Sequence, residues 1–196
     1  MHPEIISLCL FMFVTSCSPG PNNIVASYSG FNFGIIKTIP HMCGVIFGFT
    51  TLVAIMNFGL VNIFQRYPII QEILKYTGSL FLIYLAYKIS FSKSNTEDSS
   101  KSPVKFIETF FFQFINPKSV IVSVIMVSTY VDRGKDFLFY SFWVIGVAFL
   151  FALISINFWT LVGKFLRRFA TNEKFIKIFN YFMSLLLLAC IATFYL

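Results

Sequence analysis

A lysine inside an otherwise uncharged stretch is the residue that most clearly suggests chemistry. Between residues 109 and 131 the only charged side chain is Lys118, which directly follows Asn116-Pro117. An ionisable group deep in an apolar segment is costly and marks a functional site by default. Asn at the N-cap and Pro at the first helical position are typical of a helix start. Because a helix start presents free N–H groups and a positive dipole end, this pattern suits a carboxylate.

A second proline motif, Ser18-Pro19-Gly20-Pro21-Asn22, lies in the middle of the uncharged stretch 5–36. Proline removes a backbone donor, so either Ser18-Pro19 or Gly20-Pro21 can end one half-helix and start another. Nearby amide oxygens, together with carbonyls freed by the prolines, would suit an ammonium group. The two motifs together predict a site for a zwitterion. Its candidate residues are Pro19, Gly20, Pro21, Asn22, Asn23, Gln113, Asn116, Pro117 and Lys118.

Two alternatives remain for these residues. The amides could instead hydrogen-bond between helices. The Lys118 side chain could extend to a membrane interface.

Composition identifies the elements that must position these residues. Of the 196 residues, 57% are hydrophobic and 12% are charged, and mean hydropathy is +0.79. A disordered chain needs more charge, and a soluble domain needs more polar surface. The sequence therefore predicts an all-α integral membrane protein.

Six transmembrane helices fit the spacing of the charges, since a span needs about 20 residues. The predicted spans are 4–28, 36–64, 69–90, 106–131, 137–163 and 175–195. They divide into a three-helix repeat over 1–91, a cytoplasmic linker loop over 92–105 and a second repeat over 106–196. Because each repeat has three spans, the two are inverted, and helices 1 and 4 are each broken at a proline motif. Paired breaks at corresponding positions indicate a transporter binding site.

The distribution of basic residues predicts the orientation. Ten Lys and Arg residues fall on the side of the odd loops, against three on the other. The ten are Lys37, Lys88, Lys93, Lys101, Lys105, Lys164, Arg167, Arg168, Lys174 and Lys177. By the positive-inside rule that side is cytoplasmic, so both termini are external.

Other polar residues in the spans have less specific interpretations. Gly44-x-x-x-Gly48 is typical of helix packing. Asn57 and Asn157 either line the cavity or bond between helices, and His41 either relays protons or is structural. The four cysteines lie at no metal or redox spacing, so no metal is predicted. No cofactor is predicted either, and no ATP-binding loop is present in the sequence.

With these motifs in place, the sequence resembles the LysE/RhtB family of bacterial amino-acid exporters. The resemblance rests on Ser18-Pro19-Gly20-Pro21-Asn22-Asn23, on Gly34, Gly44 and Gly48, on the segment 74–88, and on Phe112-Gln113-Phe114-Ile115-Asn116-Pro117-Lys118. Many members carry Asp after Pro-Gly-Pro. Asn22 at that position resembles the cysteine/O-acetylserine exporter branch, and it removes one candidate proton-carrying carboxylate.

The resemblance implies efflux of small neutral amino acids across the bacterial inner membrane, driven by proton antiport. The partners implied are the amino acid, the lipid bilayer and, as the candidate assembly, a homodimer, with no nucleic acid. Another amino acid (homoserine, threonine or leucine) or a small ion remains the alternative substrate. An enzyme is not expected, because no catalytic set of carboxylates, histidines or nucleophile with base is visible. A scaffold or thiol carrier is a further alternative.

Overall fold

The chain folds into helices joined by short breaks. The computed structural model describes residues 3–91, 104–132, 134, 136–170 and 172–195, and every regular element in these ranges is helical. The α-helices are α1 (Pro3–Cys17), α2 (Pro21–Ile55), α3 (Val61–Arg66), α4 (Pro68–Ser90), α5 (Phe106–Ile115), α6 (Pro117–Tyr130), α7 (Phe137–Arg167) and α8 (Glu173–Ala192), with a π-helical turn, Met56–Leu60, between α2 and α3. The all-helical prediction is confirmed. The linker predicted over 92–105 lies outside the described residues except for Val104 and Lys105.

Several segments have the length and apolarity of membrane spans. Four qualify by themselves: Pro21–Phe64, Pro68–Ser90, Phe137–Arg167 and Glu173–Ala192. The pair α5 and α6 qualifies as a fifth, bent by 62° at the break between them. Large apolar side chains cover much of the outer surface; Ile36 is 82% exposed and Phe142 is 76% exposed. Such a surface is suited to lipid rather than to water.

Both predicted proline breaks are confirmed. α1 ends at Cys17, and α2 begins at Pro21 after an extended Gly20. α5 ends at Ile115, and α6 begins at Pro117. The predicted cap is also confirmed, because the backbone N–H of Lys118 donates to Asn116 Oδ1 over 3.2 Å. Each proline occupies the first helical position, where its missing N–H has no partner in any case.

α2 reverses direction at Gly34. Sequence analysis places a connection between spans over 29–35, whereas the structure keeps helical hydrogen bonding on both sides of a single residue with φ 77° and ψ 176°. His41 Nε2 lies 3.3 Å from the carbonyl oxygen of Asn22, 19 residues earlier. A straight helix would separate these residues by about 28 Å. The segments 21–33 and 35–55, hereafter the first and second limbs of α2, therefore form a helical hairpin.

Glycines allow the helix backbones to approach closely. A Cβ on Gly30 would collide with the carbonyl oxygen of Thr160, and one on Gly163 would collide with that of Ser27, so the first limb and α7 touch backbone to backbone. On the second limb, a Cβ on Gly44 would lie 2.7 Å from Thr109 Cβ of α5. A Cβ on Gly48 would lie 2.8 Å from Gln113 Cγ. The predicted packing role of Gly44-x-x-x-Gly48 is confirmed.

We expect Gly34→Ala to lower the stability of the purified protein, because an L-residue with that positive φ and extended ψ is strained by about 1–3 kcal/mol. No other atom lies within 4 Å of a Cβ built at Gly34, so the effect would come from the backbone alone. Gly146→Ala in α7 is the matched control, since it also has open space but no positive φ. Thermal unfolding in detergent measures both variants. Equal melting temperatures for the two would contradict the strained reversal.

Candidate functional site

The two helix breaks meet at the side chain of Lys118. Its ammonium Nζ donates to the Ser18 carbonyl oxygen over 3.1 Å and contacts Ser18 Oγ at 2.8 Å. A Cβ on Gly20 would lie 2.9 Å from the same Nζ. The cation therefore lies at the C-terminal end of α1, where the helix dipole is negative. The alternative in which Lys118 extends to a membrane interface is wrong, because the first break holds its head group.

The carbonyl groups at the end of α1 are satisfied by neighbouring side chains as well. Asn23 Nδ2 donates to the carbonyl oxygens of Ser16 and Ser18 over 3.0 and 3.2 Å. Ser155 Oγ, on α7, donates to the Ser16 carbonyl oxygen over 3.0 Å. These donors replace the helical hydrogen bonds that the prolines prevent, as an apolar surrounding requires.

A pair of amides links the first limb of α2 to α5. Asn22 Nδ2 donates to Gln113 Oε1 over 2.8 Å, and Gln113 Nε2 donates back to Asn22 Oδ1 over 3.1 Å. Gln113 also donates to the Thr109 carbonyl oxygen and accepts from Ser119 Oγ. Its side chain is completely buried. For Gln113, the alternative of hydrogen bonding between helices is therefore confirmed.

His41 supports this amide pair from the second limb. Its Nδ1 lies 2.9 Å from Thr109 Oγ1, and its Nε2 lies 3.3 Å from the Asn22 carbonyl oxygen. Since a carbonyl only accepts, the contact with Asn22 assigns the proton to Nε2 and the acceptor role to Nδ1. The ring is only 2% exposed and joins three helical segments. These contacts are those of a structural histidine.

A cavity of about 80 Å³ lies beside the two breaks. That volume has room for roughly five to eight water-sized groups, which is the size of a small amino acid. Polar groups cover one part of the wall and apolar side chains cover the other. The lining residues are Met12, Thr15, Ser16, Gly20, Pro21, Asn22, Asn23, Val45, Phe49, Asn116, Lys118, Ser119, Val122, Ala152, Ser155 and Ile156.

The two helix starts that face this cavity differ in their capping. At α6, the Asn116 side chain accepts from the first free N–H, that of Lys118. At α2, Gly20 is the N-cap and supplies no side-chain hydrogen bond. The first helical hydrogen bond of α2 is donated by Ile24 to the Gly20 carbonyl oxygen. The N–H groups of Asn22 and Asn23 come before Ile24 and make no helical hydrogen bond. The start of α2 is therefore the better site for an anionic group.

Six of the nine predicted residues line the cavity: Gly20, Pro21, Asn22, Asn23, Asn116 and Lys118. The other three stand outside it. Pro19 is exposed, Gln113 lies behind Asn22, and Pro117 packs with its Cδ 3.0 Å from where a Cβ of Gly78 would be.

Sequence analysis missed the hydroxyl groups of the wall. Thr15, Ser16, Ser119 and Ser155 line the cavity, although nothing in their local sequence separates them from other hydroxyl residues. Asn157 of α7, predicted either to line the cavity or to bond between helices, is absent from the wall and bonds within its own helix. Its Nδ2 donates to the Leu153 carbonyl oxygen. Because Asn157 is two residues from Ser155, the two side chains lie on different faces of α7.

Asn57 forms a hydrogen bond between two helices and is not part of the cavity wall. Its Nδ2 donates to Ser141 Oγ on α7 over 2.8 Å, and its side chain is 1% exposed. For Asn57 the alternative of bonding between helices is therefore confirmed.

Comparison with known proteins agrees with this geometry. The profile of the LysE type translocators matches residues 13–195, nearly the whole chain. The chain belongs to the LysE type translocator family. It is therefore a membrane transport protein and not an enzyme. The predicted resemblance of the sequence to this family is confirmed.

Individual relatives match nearly the whole chain. The cysteine/O-acetylserine efflux protein of Salmonella typhimurium (strain LT2) is 29% identical over 195 residues, which are 97% of each chain. The protein of the same name from Escherichia coli (strain K12) is 28% identical over 198 residues, again 97% of each chain. No solved structure matches the chain.

We expect Asn22→Ala and Gln113→Ala to be coupled in a double-mutant cycle on unfolding in mixed micelles. Because the two amides bond reciprocally, their coupling free energy should be about 0.5–2 kcal/mol. The control cycle pairs Gln113→Ala with Asn157→Ala, which share no partner and should be additive within about 0.5 kcal/mol. Additivity in both cycles would show that the amide pair does not hold α2 to α5.

Proposed function

We propose that this translocator exports small neutral amino acids across the bacterial inner membrane, with cysteine and O-acetylserine as the first candidates. The observation that carries the proposal is the cavity between two interrupted helices, with a lysine at the point where they meet. Its small volume and its mixed polar and apolar wall suit an amino acid with a short side chain. The names of the relatives support the same substrates.

The chemistry of the cavity wall suggests how a zwitterion would bind. The substrate carboxylate belongs at the uncapped start of α2, near the start of α6. The ammonium group belongs at the oxygens of the first break, at Ser18, which directly follows the end of α1. The side chain of the substrate would then lie against Val45, Phe49 and Ile156.

The proposed architecture is six spans arranged as two inverted three-helix repeats. Because α2 folds back at Gly34, the segment Pro21–Phe64 would cross the membrane twice. α1 would lengthen the first of these two crossings. The corresponding elements have similar lengths: α4 has 23 residues and α8 has 20. The contacts across the breaks are also reciprocal. The second residue of α2, Asn22, contacts the end of α5, and the second residue of α6, Lys118, contacts the end of α1.

Transport would proceed by alternating access, with the two repeats rocking around the cavity. We propose proton antiport as the driving reaction, with the basic loops in the cytoplasm, both termini external and a homodimer as the assembly. The linker over 92–105 would then join the repeats on the cytoplasmic side. The basic loops support this orientation through the positive-inside rule.

We expect Lys118→Ala to abolish uphill export while the protein remains folded in the membrane. The substitution removes the cation of the cavity and its contact with Ser18, and a hydrogen bond to a charged group is worth about 1.5–3 kcal/mol. Export of L-cysteine and O-acetylserine from cells into a medium that already holds a higher concentration of the same amino acid measures the effect. Lys75→Ala on α4, outside the cavity wall, is the control. Unchanged efflux in Lys118→Ala would refute the site.

A panel of radiolabelled amino acids in proteoliposomes tests the substrate class. We expect counterflow for cysteine and O-acetylserine, and accumulation of both under an imposed pH gradient. Counterflow of homoserine, threonine or leucine instead would assign a different amino acid. Counterflow of none would contradict amino-acid transport and favour a small ion.

A further inference from the structure

The ammonium group of Lys118 already occupies the oxygens that a substrate ammonium group would need. Nζ contacts both the carbonyl oxygen and the Oγ of Ser18, at 3.1 and 2.8 Å. These two atoms end the first half-helix, where the dipole favours a cation. The side chain of a residue on α6 thus fills a cation site built by the break before α2.

The oxygens that line the cavity are less suited to a cation than those of Ser18. The Ser16 carbonyl accepts from both Asn23 and Ser155. The side-chain oxygens of Asn22 and Asn116 accept from Gln113 and from the backbone of Lys118. The Ser18 carbonyl oxygen also accepts from Asn23, whereas Ser18 Oγ accepts from Lys118. Ser18 lies between the lining residues Ser16 and Gly20, so its oxygens are the ones that Lys118 and a bound amino acid would compete for.

We propose that Lys118 carries the proton that is exchanged for the amino acid, because its ammonium group and the ammonium group of the substrate exclude each other at Ser18. The inference rests on the proposed export function. In the inward-facing state the substrate ammonium takes the Ser18 oxygens, and Lys118 releases one proton from Nζ to the cytoplasm. In the outward-facing state Lys118 takes one proton from outside, returns to Ser18 and expels the amino acid.

This exchange has a definite stoichiometry. One zwitterion moves outward for each proton that moves inward, and no bond other than N–H is formed or broken. Since the zwitterion is neutral overall, one positive charge enters the cell in each cycle. A lysine that only attracted the carboxylate would bind proton and substrate together, which favours co-transport in one direction rather than antiport.

Ionisable groups around Lys118 are few. The residues of α1, α2 and α7 that line the cavity include no Asp, Glu or His. α8 contributes the Cys190 thiol, which interacts electrostatically with Lys118. α4 carries Lys75 one turn before Gly78, which packs on Pro117. His41 contacts the backbone oxygen of Asn22 and Thr109 Oγ1 rather than Lys118. Glu108 lies near Lys88, at 3.9 Å.

The decisive measurement compares two activities of Lys118→Met in proteoliposomes with L-cysteine under reductant. For the wild-type protein with the membrane potential held at zero, one-to-one exchange predicts about tenfold accumulation for each pH unit of imposed gradient. Lys118→Met should show no accumulation, yet it should retain counterflow without a gradient, with a KM at or below the wild-type value, because no cation then competes for the Ser18 oxygens. Lys75→Met is the matched control and should accumulate like the wild type.

A second variant keeps the test decisive if Lys118→Met does not fold. Lys118→Arg retains the positive charge but cannot release its proton. It should therefore lose both accumulation and counterflow while remaining folded, because the Ser18 oxygens stay filled.

Each outcome has one meaning. Proton-driven accumulation by either Lys118 variant would overturn the assignment of the proton to Lys118. Loss of counterflow in a folded Lys118→Met would also overturn it, since Lys118 would then be a binding residue only. Absence of counterflow in the wild-type protein would instead refute amino-acid export itself, so the two failures are distinguishable.

Discussion

The structure depends on one constraint: a helix interrupted inside a membrane must find partners for its freed backbone groups within the protein. Hydrocarbon offers no hydrogen bonds, and each unsatisfied polar group costs several kcal/mol. The prolines at positions 21 and 117 each remove a backbone donor in the middle of an apolar segment. Asn23, Ser155 and Lys118 supply donors to the end of α1, and Asn116 supplies an acceptor at the start of α6. The site is thus made of groups that the breaks themselves require.

The same constraint explains why the two breaks are not equivalent. α6 is capped by a side chain, whereas α2 starts after a glycine that offers none. A side chain at Gly20 would press on the Lys118 ammonium group, since even a Cβ would lie 2.9 Å from Nζ. The glycine therefore leaves room for the lysine side chain beside the start of α2. The polarity of the cavity follows from this small residue as much as from the charged one.

Close packing around the cavity keeps these groups in place. α7 touches the first limb of α2 through Gly30 and Gly163, which brings Ser155 of α7 within reach of the Ser16 carbonyl. The second limb packs on α5 through Gly44 and Gly48, and His41 and Gln113 bridge the same elements. The proton exchange proposed for Lys118 uses this framework, because a mobile cation needs fixed oxygens on which to bind and from which to leave.

The sequence by itself determined the membrane class, the two breaks and six of the sixteen residues that line the cavity. Composition excludes water as the surrounding of so many apolar side chains, and proline cannot continue a helix whatever its neighbours are. Lys118, Asn22 and Asn116 were recognisable because charge and amide groups are expensive in such segments. Local patterns also predicted the packing glycines 44 and 48.

Only the tertiary structure decided which groups meet. The reversal of α2 at Gly34 depends on a backbone angle that glycine permits but does not impose. The hydroxyl groups of Ser16 and Ser155 join the wall because two distant helices touch, and serine is common elsewhere in the chain. The partner of Lys118 was equally hidden, since residue 18 is 100 positions away. Sequence patterns report the cost of placing a polar group in an apolar segment, whereas the partner that offsets the cost is chosen by the fold.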